Sequence, residues 1–231
     1  MAIDTPNQYI RSNGPRLWAA LALLAVATWG FMEVAEEVLD GDAHAIDRMI
    51  LQWCRVEGQP GMPWGPVWFQ ESVRDVTALG SPAVLITVLT LTCLQLFLKG
   101  ERLLAWFAAA TAGGGLLMAV GLKSLFSRDR PDLIFHATVA NGYSFPSGHA
   151  MMSTVVFLTL GVLMARLTER RILQWHALGS AMLLSGLTGL SRIYLGVHWA
   201  SDVVAGWAAG AAWAIACWLL AQHFQLRRQQ T

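Results

Sequence analysis

Long apolar runs separated by short polar segments fill most of this sequence from residue 17 onward. A helix rises about 1.5 Å per residue, so roughly 20 apolar residues cross a hydrocarbon core about 30 Å thick. Six stretches come close to that length, at residues 17–36, 81–98, 102–122, 149–167, 172–190 and 200–222. The pattern predicts an all-α fold, a polytopic membrane bundle with six transmembrane helices. One membrane-embedded domain over residues 1–231 accounts for the chain.

The segment between the first two predicted spans, residues 38–80, is longer than the other connections. Apolar residues recur in it at helical spacing, namely Ile46, Met49, Ile50 and Trp53. Trp64 and Trp68 follow, and tryptophan is enriched at the headgroup depth of membranes. We expect an interfacial helix in this first outer loop. An amphipathic helix packed on the bundle fits the same pattern equally well.

The positions of Lys and Arg orient the bundle, because cytoplasmic segments hold an excess of them close to helix ends. With the N-terminus inside, the short inner segments carry such residues beside the spans, among them Lys99, Arg102, Arg166, Arg170 and Arg171. We therefore predict an integral membrane protein with both termini in the cytoplasm. A bacterial inner membrane is the expected location, with an internal eukaryotic membrane as the alternative.

Composition restricts the classes of function. Hydrophobic residues make up 55% of the chain and charged residues 13%, with a formal net charge of +1. A chain without a basic stripe gives no reason to expect nucleic acid as a partner. The three cysteines have neither disulfide-framework nor zinc spacing, and no His or carboxylate cluster offers a metal its ligands. We expect no metal and no cofactor.

Three segments at the outer ends of predicted spans hold charged and polar residues that solubility does not require there. They are residues 123–131 after the third span, residues 145–149 at the start of the fourth, and residues 191–202 between the fifth and sixth. Two further crossings separate the second segment from the third, so all three lie on the same, outer side of the membrane. We predict that they form one site, with residues 123–202 as its core.

The first group of site residues is suited to binding phosphate. Lys123, Arg130 and Arg192 are cations, and converging cations match a dianionic phosphoryl group. Ser147 and Gly148 precede a helix, whose first backbone N–H groups can face an anion as well. A glycine at this place lets the backbone approach closely. These five residues are the predicted phosphate-binding set.

The second group is suited to catalysis. His198 and Asp202 are four residues apart, so they share one face of a helix. A carboxylate that accepts a hydrogen bond from one ring nitrogen fixes the tautomer and leaves the other nitrogen free as a nucleophile. His149 is then available to protonate a leaving oxygen. His198, His149 and Asp202 are therefore predicted to transfer a phosphoryl group without a metal.

Each segment taken alone has an ordinary interpretation. A single Lys123 or Arg192 is typical of a residue that extends its charge to the membrane surface, and Pro-Ser-Gly-His is typical of a turn before a helix. Only the combination, in order and on one side of the membrane, indicates catalysis. Arg128, Asp129 and Asp132 are interpreted as loop salt bridges that contribute little individually.

The three segments resemble the signature of the type 2 phosphatidic acid phosphatase superfamily, which is Lys-x6-Arg-Pro, Pro-Ser-Gly-His and Ser-Arg-x5-His-x3-Asp. Every fixed position of that signature is present between Lys123 and Asp202. The resemblance implies a helical bundle in which His198 is the nucleophile, Asp202 orients it and His149 is the general acid. It also implies that the phosphoryl oxygens are held by Lys123, Arg130, Ser147, Gly148 and Arg192.

The expected function is therefore a membrane lipid phosphatase that acts through a phosphohistidine on the periplasmic or extracellular face. A soluble phosphate ester does not require a membrane bundle, so we expect a lipid phosphate that enters from the bilayer. Undecaprenyl diphosphate, phosphatidylglycerol phosphate, phosphatidic acid and lipid A are the candidates. The alternatives are a non-hydrolytic lipid-binding or transport protein of the same fold and vanadate-dependent halide oxidation. The near absence of charge inside the last four spans disfavours an ion-coupled transporter.

Overall fold

A computed structural model of the protein describes residues 6–228. Within this range the fold is mostly helical, with one 3-10 turn at Leu133–Phe135 and a two-stranded antiparallel hairpin of β1 (Arg55–Val56) and β2 (Gln59–Pro63). The helices are α1 (Pro6–Asp40), α2 (Ala43–Trp53), α3 (Val67–Ala78), α4 (Pro82–Leu98), α5 (Arg102–Phe126), α6 (Gly148–Arg166), α7 (Arg171–Tyr194) and α8 (Ala200–Arg228). Each predicted apolar stretch is helical, in α1, α4, α5, α6, α7 and α8, so the helical bundle is confirmed.

Four helices in the described part of the chain are long and apolar enough to cross a membrane, at Leu17–Asp40, Arg102–Phe126, Gly148–Arg166 and Ala200–His223. Helix α4 has 17 residues and qualifies only together with α3, from which it is bent by 49°. Helix α7 has 24 residues, so its polar side chains rather than its length keep it below the required apolarity. The structure supports four membrane spans, or five with the bent pair, and the expected count of six stays a prediction.

Helix α6 lies at the centre of the bundle and packs against α5, α7 and α8. Its contact with α8 is close because two glycines of α8 face it. A Cβ atom on Gly206 would lie 2.8 Å from the carbonyl oxygen of Ser147, and one on Gly210 would lie 2.6 Å from that of Met151. Small residues permit such close packing between membrane helices. The contact sets the start of α6 beside the start of α8, where two of the predicted site segments lie.

Helix α5 joins this packing through small residues of its own. Gly114 lies against the ring of Trp213 on α8. The indole N–H of Trp213 donates back to the carbonyl oxygen of Thr111 on α5, at 2.8 Å. A larger residue than glycine would separate the two helices and break this bond. The ends of α5, α6 and α8 that carry the predicted site are thereby held together.

The first outer loop folds into α2, the hairpin and α3. Helix α2 buries Ala43, Asp47 and Leu51 against the bundle and exposes an apolar face of Ile46, Met49 and Trp53. It is an amphipathic helix packed on the protein, and an interfacial position for its exposed face stays a prediction. The hairpin was not expected from the sequence, because β1 has two residues and such a short strand leaves no alternating pattern.

Candidate active site

The eight residues predicted to form the site are Lys123, Arg130, Ser147, Gly148, His149, Arg192, His198 and Asp202. They lie in the last turns of α5 and α7, at the starts of α6 and α8, or in the connections between these helices. The N–H of Ser147 donates to the carbonyl oxygen of Asp202 at 2.9 Å. A Cβ atom on Gly148 would lie 3.5 Å from the Cε atom of Lys123. The structure thus brings the three segments together at one end of the bundle.

His198 and Asp202 form the expected pair. Nδ1 of His198 lies 3.2 Å from Oδ2 of Asp202, and Nη1 of Arg130 lies 3.1 Å from Nε2 of the same ring. An arginine can only donate, so Nε2 carries the lone pair and Nδ1 carries the proton that is donated to Asp202. The His198 ring therefore has the tautomer in which Nε2 is unprotonated and carries the lone pair that a nucleophile needs.

Burial also keeps the His198 ring uncharged. The residue is 2% exposed, and burial lowers its pKa to about 4 although the hydrogen bond to Asp202 and the charge of Asp202 favour the protonated form. At neutral pH the imidazole is therefore neutral. A neutral, oriented imidazole is the form that attacks phosphorus.

The carboxylate of Asp202 is buried and accepts hydrogen bonds on both oxygens. Oδ1 accepts from Arg128 at 2.7 Å, and Oδ2 accepts from the N–H of Trp199 at 2.9 Å and from the hydroxyl of Ser144. The Ser144 oxygen also lies 3.4 Å from Nδ1 of His198. Ser144 was not predicted, because nothing in its sequence surroundings distinguishes it from other loop serines.

Two of the predicted cations hold the loop that precedes α6. Arg130 donates to the carbonyl oxygens of residues 141 and 142, each at 2.9 Å, and to that of Val197 at 2.7 Å. Lys123 donates to the carbonyl oxygen of Tyr143 at 2.6 Å. All of these acceptors are uncharged. Neither cation has a carboxylate in direct contact within the described residues, so both keep a net charge for an anion.

The remaining members of the phosphate set have unused hydrogen-bonding atoms. Arg192 is buried, and its Nη1 donates to the hydroxyl of Thr77 on α3 at 3.2 Å. Its Nε and the hydroxyl oxygen of Ser147 are buried without a hydrogen-bond partner among the described residues. Buried polar atoms are normally hydrogen-bonded. Together with the backbone at the start of α6, these atoms can bind the oxygens of a phosphoryl group.

His149 lies at the start of α6, within electrostatic reach of His198 and of the three predicted cations. Gly80, at the turn before α4, leaves room for its ring, because a Cβ atom there would lie 3.2 Å from Cδ2 of His149. Both predicted imidazoles therefore belong to the same site. Among residues 6–228, no group of three or more His, Cys, Asp or Glu side chains is placed to hold a metal ion.

The interpretation of Arg128 as a weak loop salt bridge is wrong. Arg128 is 8% exposed and donates to Asp202 at 2.7 Å and to Asp47 of α2 at 2.8 Å. The interpretation failed because Asp47 lies 81 residues away in the sequence, in a loop with no pattern that links it to the site. Asp129 and Asp132 are exposed and form no ion pair within the part of the chain that the structure describes.

The turn that leads into His198 depends on Gly196. Its φ is +71°, and a Cβ atom there would overlap the guanidinium of Arg55 and the carbonyl of Phe135. Arg55 donates to the carbonyl oxygens of Phe135 and Tyr194, at 2.7 and 2.8 Å. The hairpin and the 3-10 turn are thereby held against the connection that carries His198.

Comparison with known proteins places this arrangement in a family. Residues 103–226 match the PAP2 superfamily. The chain is 26% identical over 149 residues to phosphatidylglycerophosphatase B of Bacillus subtilis, an alignment that covers 62% of this chain and 70% of that protein. It is 34% identical over 139 residues to a putative undecaprenyl-diphosphatase of Escherichia coli, which covers 54% of this chain and 63% of that one.

Two solved structures share the fold. The PAP2 type phosphatidylglycerolphosphate phosphatase from Bacillus subtilis superposes with a TM-score of 0.76 at 21% identity, over 87% of this chain and 96% of that one. Aquifex aeolicus LpxE superposes with a TM-score of 0.56 at 21% identity, over 75% of this chain and 93% of that one.

Proposed function

Since this chain belongs to the PAP2 superfamily and is an enzyme of the lipid phosphatase class, we propose that it hydrolyses a phosphomonoester or diphosphate of a lipid through a phosphohistidine at His198. The observation that carries the proposal is the hydrogen bonding of the His198 ring. Asp202 holds the Nδ1 proton, and Nε2 presents its lone pair toward Arg130. A nucleophilic nitrogen and a cation for the phosphoryl group thus face each other.

In the first step, Nε2 of His198 attacks phosphorus, and the bond from phosphorus to the leaving oxygen of the lipid breaks. A bound dianion favours the protonated form of His149, which donates its proton to the leaving oxygen. The lipid leaves as an alcohol or as a lipid monophosphate. Asp202 stabilises the positive charge that the His198 ring gains as the nitrogen–phosphorus bond forms.

In the second step, water replaces the histidine. His149, now neutral, accepts a proton from water as the water oxygen attacks phosphorus. The nitrogen–phosphorus bond breaks, inorganic phosphate leaves and the neutral imidazole of His198 is restored. The same residue therefore acts first as the acid and then as the base.

The phosphoryl oxygens are assigned to Lys123, Arg130, Ser147, Gly148 and Arg192. Lys123 and Arg130 donate to neutral carbonyl oxygens, which are weaker acceptors than a dianionic phosphoryl group. Lys123 and Arg130 therefore gain stronger hydrogen bonds when they release the carbonyl oxygens and bind the dianion. Nε of Arg192 and the hydroxyl of Ser147 have no hydrogen-bond partner among the described residues. They can therefore bind the phosphoryl oxygens without first breaking a hydrogen bond within the protein.

The substrate is proposed to be a lipid that reaches the site sideways from the outer leaflet of a bacterial inner membrane. The names of the relatives, which include a phosphatidylglycerophosphatase and a putative undecaprenyl-diphosphatase, support two of the four candidate lipids. The proposed topology, with six crossings and both termini in the cytoplasm, would put the helix ends that carry the site on the outer face. The exposed apolar side chains of α1 and α5 support a bundle that contacts lipid.

The test is a phosphate-release panel with purified protein in detergent and in liposomes. The four substrates are undecaprenyl diphosphate, phosphatidylglycerol phosphate, phosphatidic acid and lipid A. We expect release from at least one of them, loss of that release in His198→Ala, and native activity in His176→Ala, which alters an exposed histidine of α7. Undiminished turnover by folded His198→Ala would refute the assignment of the nucleophile.

A further inference from the structure

Helix α2 of the first outer loop is connected to the Asp202 carboxylate by one buried arginine. Arg128 donates from Nη1 to Oδ1 of Asp202 at 2.7 Å and from Nη2 to Oδ2 of Asp47 at 2.8 Å. Asp47 and Asp202 are 2% and 0% exposed. The guanidinium therefore makes two charge-assisted hydrogen bonds, one to α8 and one to α2.

Asp47 also holds the first turn of α8. Its Oδ1 accepts from the N–H of Ser201 at 2.9 Å, and its Oδ2 accepts from the Ser201 hydroxyl at 2.6 Å. The first N–H groups of a helix have no partner inside the helix, and the helix dipole favours a carboxylate at that end. Asp47 thus fixes the turn in which Asp202 lies.

Arg128 determines which oxygen of Asp202 faces His198. It occupies Oδ1, so that Oδ2 lies 3.2 Å from Nδ1 of the imidazole. Without Arg128, the carboxylate would be held through Oδ2 alone, by Ser144, the N–H of Trp199 and the His198 ring. A misplacement of about 1 Å in a catalytic group costs about 100-fold in rate. The orientation of the His198 ring therefore depends on Arg128.

Arg128 can set this orientation because it is itself fixed on several sides. Asp47 takes Nη2, the hydroxyl oxygen of Ser201 lies 2.7 Å from Nη1, and the ring centroid of Trp199 lies 5.7 Å from its Cζ, within the range of a cation–π contact. Asp47 also balances the charge of Arg128. Without it, the arginine would be neutralised by Asp202 alone and would weaken the attraction of Asp202 for the imidazole proton.

We infer that Arg128 and Asp47 are positioning residues for the reaction, which fix the orientation and basicity of His198 through Asp202 and make α2 a part of the catalytic apparatus. The inference rests on the proposed function, in which His198 is the nucleophile. An ordinary buried ion pair would only stabilise the fold. The two roles therefore predict different measurements.

The test compares Arg128→Gln, Arg128→Lys and Asp47→Asn with a matched control on an exposed ion pair. Arg74→Gln removes the bond between Arg74 and Glu71, whose side chains are 44% and 63% exposed. For each full-length variant, kcat and KM are measured between about pH 4 and pH 9, on the lipid of the four-lipid panel that the native protein turns over fastest. The thermal unfolding midpoint is recorded alongside.

We expect kcat to fall about 100-fold in Arg128→Gln and about 10-fold in Asp47→Asn, with KM changed less than about threefold, because neither residue touches the substrate. Arg128→Lys keeps the charge but not the two-pronged geometry, so it recovers only part of the rate. Arg74→Gln behaves like the native protein.

The acid limb of the kcat/KM profile gives a second readout. Loss of the Arg128 cation strengthens the hold of Asp202 on the imidazole proton and favours the charged ring. The acid limb of Arg128→Gln therefore moves to higher pH. The other charged or titratable groups that face His198 are unchanged in every variant, and they are Asp202, Lys123, Arg130 and His149.

A merely structural pair predicts lower unfolding midpoints with native kcat and an unmoved acid limb. Native kcat with a lower unfolding midpoint in both Arg128→Lys and Asp47→Asn would overturn the inference. If Arg128→Gln does not fold, these two variants alone provide the test. A native protein that hydrolyses none of the four lipids would instead contradict the proposed function, and the inference would fall with it. Native activity with unaffected variants contradicts the inference alone.

Discussion

The His198–Asp202 pair has an arginine at each end, and the two arginines have opposite surroundings. Arg128, at the carboxylate end, donates to two carboxylates that cancel its charge. Arg130, at the imidazole end, donates to backbone carbonyls and to Nε2 of His198, which leave its charge intact. A neutralised buried cation maintains a geometry, whereas a cation with neutral acceptors still attracts an anion. The arginine at the carboxylate end is therefore suited to positioning Asp202, and the arginine at the imidazole end is suited to binding an anion.

Sequence spacing cannot make this distinction, because the two arginines are separated by a single residue. What separates them is the backbone between α5 and α6. Ser127, the residue that follows α5, has a φ of +44°, in the left-handed region that few residues other than glycine adopt. From there Arg128 is directed toward α2 and α8, while Arg130 reaches the carbonyls of the loop before α6. Two arginines of one short segment can thus have different surroundings.

The largest effect is expected from a change at Asp202, which contacts both His198 and Arg128. Asp202→Asn keeps one oxygen to accept from Arg128, so its NH2 group faces Nδ1 of His198 and cannot accept the Nδ1 proton. The change also leaves Arg128 with one carboxylate. The corresponding change in a Ser-His-Asp triad lowers kcat about 10⁴-fold, and we expect a loss of that order here. Phosphate release measures it, with circular dichroism as the control for folding. A loss below about tenfold would show that Asp202 does not orient the ring.

Exchanging the two arginines for glutamine separates binding from positioning. Arg128→Gln leaves Asp47 and Asp202 facing each other without a cation, which lowers the free energy of unfolding by about 3–5 kcal/mol. Arg130→Gln lowers kcat/KM by about 10²- to 10³-fold, the usual effect of removing a donor to the transition state, with a smaller change in stability. Unfolding in mixed micelles measures the loss of stability in each variant, and steady-state kinetics measures the loss of kcat/KM. If one variant showed the larger loss in both measurements, the distinction between positioning and binding would be contradicted.

The pH dependence of stability tests the burial of His198. Its folded pKa of about 4 lies below the unfolded value of about 6.5. Between these pH values the unfolded chain binds a proton that the folded protein does not, so stability falls as pH falls through this window. The loss is on the order of 3 kcal/mol for a shift of this size. His198→Gln should lose less stability over the same window, and equal losses would contradict the assignment.

The smallest effect is expected for the ion pair of Arg74 and Glu71, which lies outside the site. Arg74 and Glu71 form a bond of 3.1 Å on the exposed surface of α3. Water and salt screen such a pair, so Arg74→Gln should change the free energy of unfolding by less than about 0.5 kcal/mol. A change as large as that of Arg128→Gln would mean that burial does not separate the two ion pairs.

Much of the fold was predictable because the length and apolarity of a membrane helix are local properties of the sequence. All six apolar stretches are helical, and the signature segments meet because their helix ends lie on one side of the bundle. The bend between α3 and α4 and the hairpin of β1 and β2 were not predicted. Both depend on how the first outer loop packs on the bundle, which leaves no periodic pattern.

The residues of the candidate site could be named from the sequence because each has a chemistry that its spacing reveals, and their catalytic and binding roles stay a proposal. The residues that support them could not. Asp47 and Ser144 act through contacts with residues 81 and 58 positions away, and neither type is unusual in a loop. Arg128 was interpreted as part of a weak loop salt bridge, since only the folded position of α2 provides its second carboxylate.

The proposed mechanism requires Nε2 of His198 to become phosphorylated during turnover. The most direct measurement is an alkaline quench of the native protein at saturating lipid phosphate, followed by peptide mapping, because phosphohistidine survives alkali and is lost in acid. A phosphohistidine intermediate predicts phosphate on the peptide that contains His198, none in His198→Ala, and release of that phosphate on acidification. Phosphate on Ser147, or steady turnover with no phosphate on His198, would contradict it.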